Sequence, residues 1–107
     1  MAYIRVSLVR PLGGRREEAD RILRALSEFH ATQPGHWVTF RVESRDEAAR
    51  IGRIAVWNDE AAANAAAQAT HDQALRSQLN QLVDAGTHVE QSFFGEQAAG
   101  LLERERG

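Results

Sequence analysis

Few side chains in this chain could do chemistry near neutral pH. Four histidines carry the only side chains with an ordinary pKa in that range, and there is no cysteine to serve as nucleophile or metal thiolate. His71 precedes an amphipathic segment that also contains Arg76. An imidazole can take a proton from a weak acid near neutral pH, and a guanidinium can stabilise the resulting anion. His71 is therefore the candidate catalytic base, and Arg76 is a candidate substrate-binding residue.

Each of these residues also has a purely structural interpretation. His71 can belong to a solvated helix start, and Arg76 can be a surface residue whose aliphatic stem packs on its own helix. Asn64 and Gln68 are two further candidate substrate-binding residues, as hydrogen-bond donors. A solvated helix face would explain both of them equally well.

Three other kinds of site have little support. His30 and His36 flank a Pro-Gly turn, but no carboxylate stands beside them and metal sites usually need three or four ligands, so we expect no metal. The Gly-Gly pair at 13–14 lacks the pattern of a phosphate-binding loop. No serine lies in a G-x-S-x-G nucleophile elbow.

Length and composition limit the protein's class. A chain of 107 residues has the size of one domain, and its net charge of −2 is not the basic footprint expected of a nucleic-acid-binding protein. No stretch approaches the roughly 20 apolar residues that a membrane span needs, and no signal peptide is visible. We therefore expect a cytoplasmic protein without a nucleic-acid or membrane partner.

Hydrophobic periodicity predicts a βαββαβ chain, which is the order of ferredoxin-like α+β folds with a four-stranded antiparallel sheet. The second helix begins at Asp59, breaks near Ala69-Thr70, where Thr70 resembles a second cap, and ends at Gly86. The domain is expected to occupy residues 1–95, ahead of a tail at 96–107. The strands are expected at 3–10, 36–43, 51–57 and 87–94.

Strand parity divides the side chains of the sheet into two sets. The first set is wholly apolar and is predicted to face the helices, with Val6, Phe40 and Ile54 as candidate substrate-binding residues. The Ala-rich start of the second helix either leaves room for a ligand opposite this set or packs closely on the sheet. The first set comprises Ile4, Val6, Leu8, Val38, Phe40, Val42, Ile54 and Val56.

The second set is predicted to form the open face and is too aromatic for contact with water. Packing against a second copy would cover it, so a homodimer is expected with Trp37, Trp57 and Phe94 at the interface. Alternatively the tail folds over this face, or a bulge shifts the assignment of faces. The second set comprises Tyr3, Val9, Trp37, Ala55, Trp57 and Phe94.

The segment GRIAVWNDEAAANAAAQATHDQALRSQL, residues 52–79, carries a family resemblance. Together with the layout of residues 3–94, it resembles the antibiotic-biosynthesis-monooxygenase-like, quinol-monooxygenase-like domains of the dimeric α+β barrel superfamily. The spacing from Trp57 to His71 is similar to that of the quinol-monooxygenase branch. The resemblance implies a homodimer that oxidises a small aromatic or quinol-type substrate with O₂ and without a metal, flavin or other cofactor.

Two other functions remain open on the same fold. A non-catalytic, small-ligand-binding or stress-associated dimer would need no base at all. A haem-degrading protein is disfavoured, because Ala66 and Arg76 stand where the haem-degrading pattern has a Trp and a His, and Val6 stands nearest to its expected Asn.

Overall fold

The computed structural model describes residues 1–46 and 48–100. No helix among these residues is long and apolar enough to cross a membrane. The last residues of the predicted tail, 101–107, lie outside the described part of the chain. The elements are β1 (Ala2–Pro11), α1 (Arg16–Ala31), β2 (His36–Glu43), β3 (Ile51–Trp57), α2 (Glu60–Gln68), α3 (Thr70–Asn80) and β4 (Val83–Gly95).

The four strands form one antiparallel sheet in the order β2-β3-β1-β4, which confirms the predicted ferredoxin-like α+β fold. The predicted hairpin of β2 and β3 is present. Gly52 lies opposite Leu8, and a Cβ atom placed on it would come within 1.9 Å of the Ser7 carbonyl oxygen. Only glycine lets β1 and β3 approach this closely.

The predicted break in the second helical segment is confirmed at Ala69, whose extended backbone separates α2 from α3. Asp59 caps α2 by accepting a hydrogen bond from the Ala62 N–H at 2.8 Å. Thr70 is not a cap, because Ala69 occupies the N-cap position of α3 and makes no side-chain cap. The expected helix end at Gly86 is also wrong, since α3 ends at Asn80 and Gly86 lies within β4.

The predicted faces of the sheet are reversed. Trp57 is 1% exposed and lies beneath the helices, packed with Ala63 and Ala66 of α2. The prediction that Trp57 faces away from the helices is therefore wrong. The residues that the helices cover are of mixed type, and the buried ones include Tyr3, Val9, Ile51, Arg53, Ala55 and Trp57.

The wholly apolar set lies on the other side of the sheet, which no described element covers. Phe40 is 56% exposed, while Val6 and Ile54 are half-buried. The expectation that these three line a pocket beneath the helices is wrong for the same reason. Small alanines on α2 leave room for the indole of Trp57, which packs against Ala63 and Ala66.

The two other predicted interface residues occupy different places. A register shift between His36 and Val38 places Trp37 on the uncovered side, beside Val38 and Val56. Phe94 lies opposite Tyr3 on the helix side, and the ring centroids are 5.7 Å apart. Phe94 is nevertheless 66% exposed.

Candidate functional site in the cleft between helices and sheet

A chain of hydrogen bonds lies buried between α1, α3 and the sheet. Asp72 in the first turn of α3 has no exposed surface, and His30 in the last turn of α1 and Arg53 on β3 are almost as deeply buried. Arg53 Nη1 donates to His30 Nδ1 at 2.9 Å. His30 Nε2 bonds to Asp72 Oδ2, and Arg76 Nε donates to Asp72 Oδ1. Three separate elements are thus joined by one polar network.

The hydrogen-bond donors of this network determine which ring nitrogen of His30 carries the proton. A guanidinium can only donate hydrogen bonds, so His30 Nδ1 accepts from Arg53 and the ring proton sits on Nε2, facing the Asp72 carboxylate. Burial lowers the pKa of His30, and the nearby Arg53 charge lowers it further, against the opposing influence of Asp72. His30 is therefore a neutral imidazole in the folded protein at neutral pH.

Asp72 and Arg53 are both charged in this network. Burial alone would raise the pKa of Asp72, but hydrogen bonds from His30 and Arg76 and the Arg76 charge bring it below its usual value. Burial and the charge of Arg76 lower the pKa of Arg53 to about 10, which still leaves it protonated at neutral pH.

A cavity of about 180 Å³ lies beside this network. Its apolar lining residues are Val9, Leu23, Leu26 and Leu79. Its polar lining residues come from the sheet and from α3, and they are Ser7, Arg53, Arg76, Asn80 and His88. The cavity thus combines apolar side chains with two guanidinium groups.

Ser7 and His88 form a polar pair on the strand side of this cavity. Ser7 Oγ and His88 Nε2 are 3.1 Å apart, and the His88 side chain is exposed. The hydrogen bond between them is exposed to solvent. His88 is the imidazole that is both accessible and next to the cavity.

A second, much smaller void of about 10 Å³ adjoins the first and shares Ser7, Arg53 and Arg76 with it. Its other end reaches Trp57 and Ala63. This volume is about that of a single water molecule. The cleft therefore narrows sharply between the arginines and the indole.

Arg5 closes the rim of the cleft near the small void. Its Nη2 donates to the Tyr3 hydroxyl at 2.9 Å and to Asn64 Oδ1 at 3.0 Å. The Tyr3 hydroxyl in turn donates to Ser92 Oγ at 2.9 Å. Asn64 therefore acts here as an acceptor that orients Arg5, and not as a free donor.

The predicted site residues are brought together only in part. Arg76 lines both cavities, and Asn64 lies at the rim of the small void through its hydrogen bond with Arg5. Gln68 is exposed at the end of α2. His71 is exposed on α3 and its ring packs on Phe29, with centroids 4.9 Å apart. It does not point between the helices and the sheet as predicted.

Sequence reasoning missed the central residues of this site. His30 was weighed only as a metal ligand, and Arg53 and Asp72 were not singled out. Two signals were present: Asp72 and Arg76 stand at the i, i+4 spacing of a helical ion pair, and Arg53 shares strand parity with Trp57. Among residues 1–46 and 48–100, no group of three or more His, Asp or Glu side chains is placed to hold a metal ion.

Comparison with known proteins gives similarity in structure only. No family model and no curated protein matches the chain. SnoaB, a cofactor-independent oxygenase from Streptomyces nogalater, is 23% identical with a TM-score of 0.77, over 91% of this chain and 95% of that one. Rv0793 from Mycobacterium tuberculosis is 13% identical with a TM-score of 0.81, over 94% and 100% of the two chains.

A candidate antibiotic biosynthesis monooxygenase from Nitrosomonas europaea is also similar, at 16% identity and a TM-score of 0.76, over 87% of this chain and 97% of that one. The structural neighbours thus include antibiotic-biosynthesis-monooxygenase-like proteins, as the sequence resemblance predicted. At these identities the likeness is one of fold.

Proposed function

We propose that this protein is a cofactor-independent monooxygenase whose substrate is a small aromatic phenol or quinol bound in the helix–sheet cleft. One observation carries the proposal: a cavity of about 180 Å³ is lined by four apolar side chains, two guanidinium groups and an accessible histidine. The fold shared with SnoaB, a cofactor-independent oxygenase, supports the same chemistry.

The cavity has the size and character required to hold one aromatic ring. An apolar cavity of about 150 Å³ is enough to bind benzene in another protein. Here the side chains of Leu23, Leu26 and Leu79 would contact the ring face and exclude water from it. Exclusion of water strengthens the attraction between a developing anion and the two arginines of the cavity.

His88 is the proposed base and Arg76 the group that stabilises the anion. His88 would take the phenolic proton, with Ser7 orienting its ring from 3.1 Å away. Arg76 is held in place because its Nε is bonded to the buried Asp72, while its other N–H groups remain for the phenolate. In this proposal His88 takes the role of base that the sequence predicted for His71, and Arg76 keeps its predicted role in substrate binding.

The proposed reaction balances with O₂ as the only co-reactant. The phenolate supplies the electrons that reduce O₂. A ring C–H of the phenol becomes the second carbonyl of a quinone, one oxygen atom enters the ring and the other leaves as water. His88 returns the proton it took when that water forms.

A homodimer is part of the proposal. The uncovered side of the sheet presents Val6, Phe40 and Ile54, and no described element covers them. Packing of two such faces would remove a contiguous apolar surface from water. The interface therefore uses the wholly apolar face, including Trp37, and leaves the cleft on the outside of each subunit.

The test compares two histidines in the same assay. We expect O₂ uptake with a panel of hydroquinones, naphthols and anthrones, and incorporation of one ¹⁸O atom from ¹⁸O₂ into the product. His88→Ala should lower kcat by roughly 10²–10⁴-fold, the usual effect of losing a general base. His71→Ala is the matched control and should leave kcat unchanged, because His71 is exposed and lines neither cavity.

Two results would contradict the proposal. Equal activity of His88→Ala and the wild type would remove His88 as the base. Tight binding of these aromatics by the wild type with no O₂ uptake would identify a ligand-binding protein instead.

A further inference from the structure

The buried network beside the cavity has more positive than negative charge. Arg53 and Arg76 are cations, Asp72 is the one buried carboxylate among the described residues, and His30 is neutral. At the rim, Arg5 and Glu90 offset each other. One positive charge is left without a counterion, and burying an unpaired charge is costly.

Arg53 is the residue that carries this excess positive charge. Its side chain is on the wall of the cavity yet only 6% exposed. It donates from Nη1 to a neutral imidazole, and its Nε has no acceptor among residues 1–46 and 48–100. Arg76, by contrast, already has Asp72 as a partner. Arg53 thus lacks the carboxylate that buried guanidinium groups ordinarily have.

We propose that Arg53 and Arg76 together bind a carboxylate of the ligand, so that the substrate of this cleft is a hydroxylated aromatic acid. This inference rests on the proposed function in one respect, since it specifies which class of phenol the same cleft takes. A single carboxylate supplies the one missing negative charge, and its two oxygens match the planar fork of a guanidinium.

The lining of the cavity fits such a ligand. With the ring against Leu23 and Leu79, the carboxylate would meet the arginines and a neighbouring hydroxyl would meet the Ser7–His88 pair. A water molecule is a less complete partner. It could accept from Arg53 Nε in the void of about 10 Å³, but it would leave the positive charge unbalanced.

Salicylate and salicylamide test the inference directly. Both carry the same ring and the same phenolic hydroxyl, but the carboxylate of one is a neutral amide in the other. Hydrogen bonds between charged groups are the stronger ones, so wild-type protein should bind salicylate at least about tenfold more tightly than salicylamide by calorimetry.

Variants show which residue is responsible for that selectivity. Arg53→Met should bring the two dissociation constants to within about twofold of each other, and Arg76→Met should reduce the preference, with circular dichroism confirming that each variant is folded. Arg21→Met removes an exposed arginine on the outer side of α1 and should keep the full preference. If Arg53→Met does not fold, the relative affinity of the wild type for salicylate and salicylamide still tests the inference.

Equal affinity of the wild type for the two ligands, or an undiminished preference in folded Arg53→Met, would overturn the inference. Binding needs no turnover, so its outcome is independent of the oxygenase proposal. Selective binding of salicylate without O₂ uptake by any phenol would support the carboxylate subsite and contradict the oxygenase. Oxidation of neutral quinols at a rate unaffected by Arg53→Met would support the oxygenase and contradict the carboxylate subsite.

Discussion

The two faces of the sheet have opposite chemistry. The face beneath the helices carries Arg5, Ser7 and Arg53 among small and aromatic residues, and its buried members are almost fully enclosed. The other face is apolar along β1, β2 and β3 and carries one polar residue, Gln91, between Val89 and Phe93 on β4, yet Phe40 and Phe93 are 56% and 50% exposed. The more hydrophobic of the two faces is therefore the one in contact with water in the single chain.

This difference in polarity and burial indicates the role of each face. Polar groups are costly to bury and persist there only when other groups satisfy them, as Asp72 and His30 do for each other. Arg53 Nε has no hydrogen-bond partner among the described residues, and the proposed carboxylate subsite would supply one. A wholly apolar face needs no specific partner atoms and is typical of a surface that packs against another protein.

The largest expected effect comes from placing a charge on the apolar face. Ile54 lies in the middle of β3, between Val6 of β1 and Phe40 of β2. Ile54→Arg would bury an unpaired charge in the proposed sheet-on-sheet interface and should abolish the dimer at micromolar concentration. Sedimentation equilibrium should then report one 11.9 kDa chain where the wild type reports two.

Ser77→Arg is the control for that variant. It adds the same charge to the exposed side of α3, and the dimer should persist. A wild-type protein that sediments as a monomer at micromolar concentration would end the interpretation of the apolar face as a dimer interface.

The two tryptophans test the assignment of the two sheet faces through the free energy of unfolding. Trp57 is enclosed by the helices and contacts the rings of His30 and His36, with centroids 5.4 and 5.1 Å away. Trp57→Ala should lower the free energy of unfolding by roughly 3–5 kcal/mol, because a large cavity replaces the indole. Trp37→Ala, on the partly exposed side, should cost less than half as much in urea titrations.

An equal loss of stability in the two variants would contradict the assignment of faces. The urea titration should be run at a fixed protein concentration, because dissociation of a dimer adds to the apparent stability. Comparison of both variants in the Ile54→Arg background removes that contribution.

The sequence was sufficient to predict the fold because periodicity and breakers act locally. The four strands, the hairpin of β2 and β3, and the break at Ala69 follow from alternation, helical spacing and the Thr70 region. The end of the second helix was misjudged, since β4 begins at Val83 through pairing with Pro11, a long-range contact that no local signal announces.

The site could be predicted only in part because it depends on which face the helices cover. Alternation separates the two sets of side chains but does not say which set lies inside. Assigning the apolar set to the interior placed Trp57 outside and left His71 as the best base. Arg76 does line the cleft, because its position on α3 does not depend on the assignment of the sheet faces, but the substrate-binding role predicted for it stays a prediction.

The smallest expected effect is a pH dependence that arises in the buried network. His30 and His36 both have a pKa below the ordinary 6.5, mainly because burial disfavours the charged ring, and because Arg53 lies near each of them. In the unfolded chain both rings take up a proton as the pH falls through about 6.5. The folded protein resists that uptake, so the unfolded state binds more protons and the free energy of unfolding falls as the pH drops below 6.5.

Each histidine can contribute at most about 1.4 kcal/mol per pH unit, the slope for one proton. Urea titrations between pH 7.5 and 5 measure this slope. His30→Gln should flatten it, because a glutamine can accept from Arg53 and donate to Asp72 without titrating. His36→Gln, in which the ring bonded to Thr39 is lost, should remove a separate share. A slope unchanged by His30→Gln would mean that His30 is already protonated in the folded protein, and the buried cluster would then carry two excess positive charges.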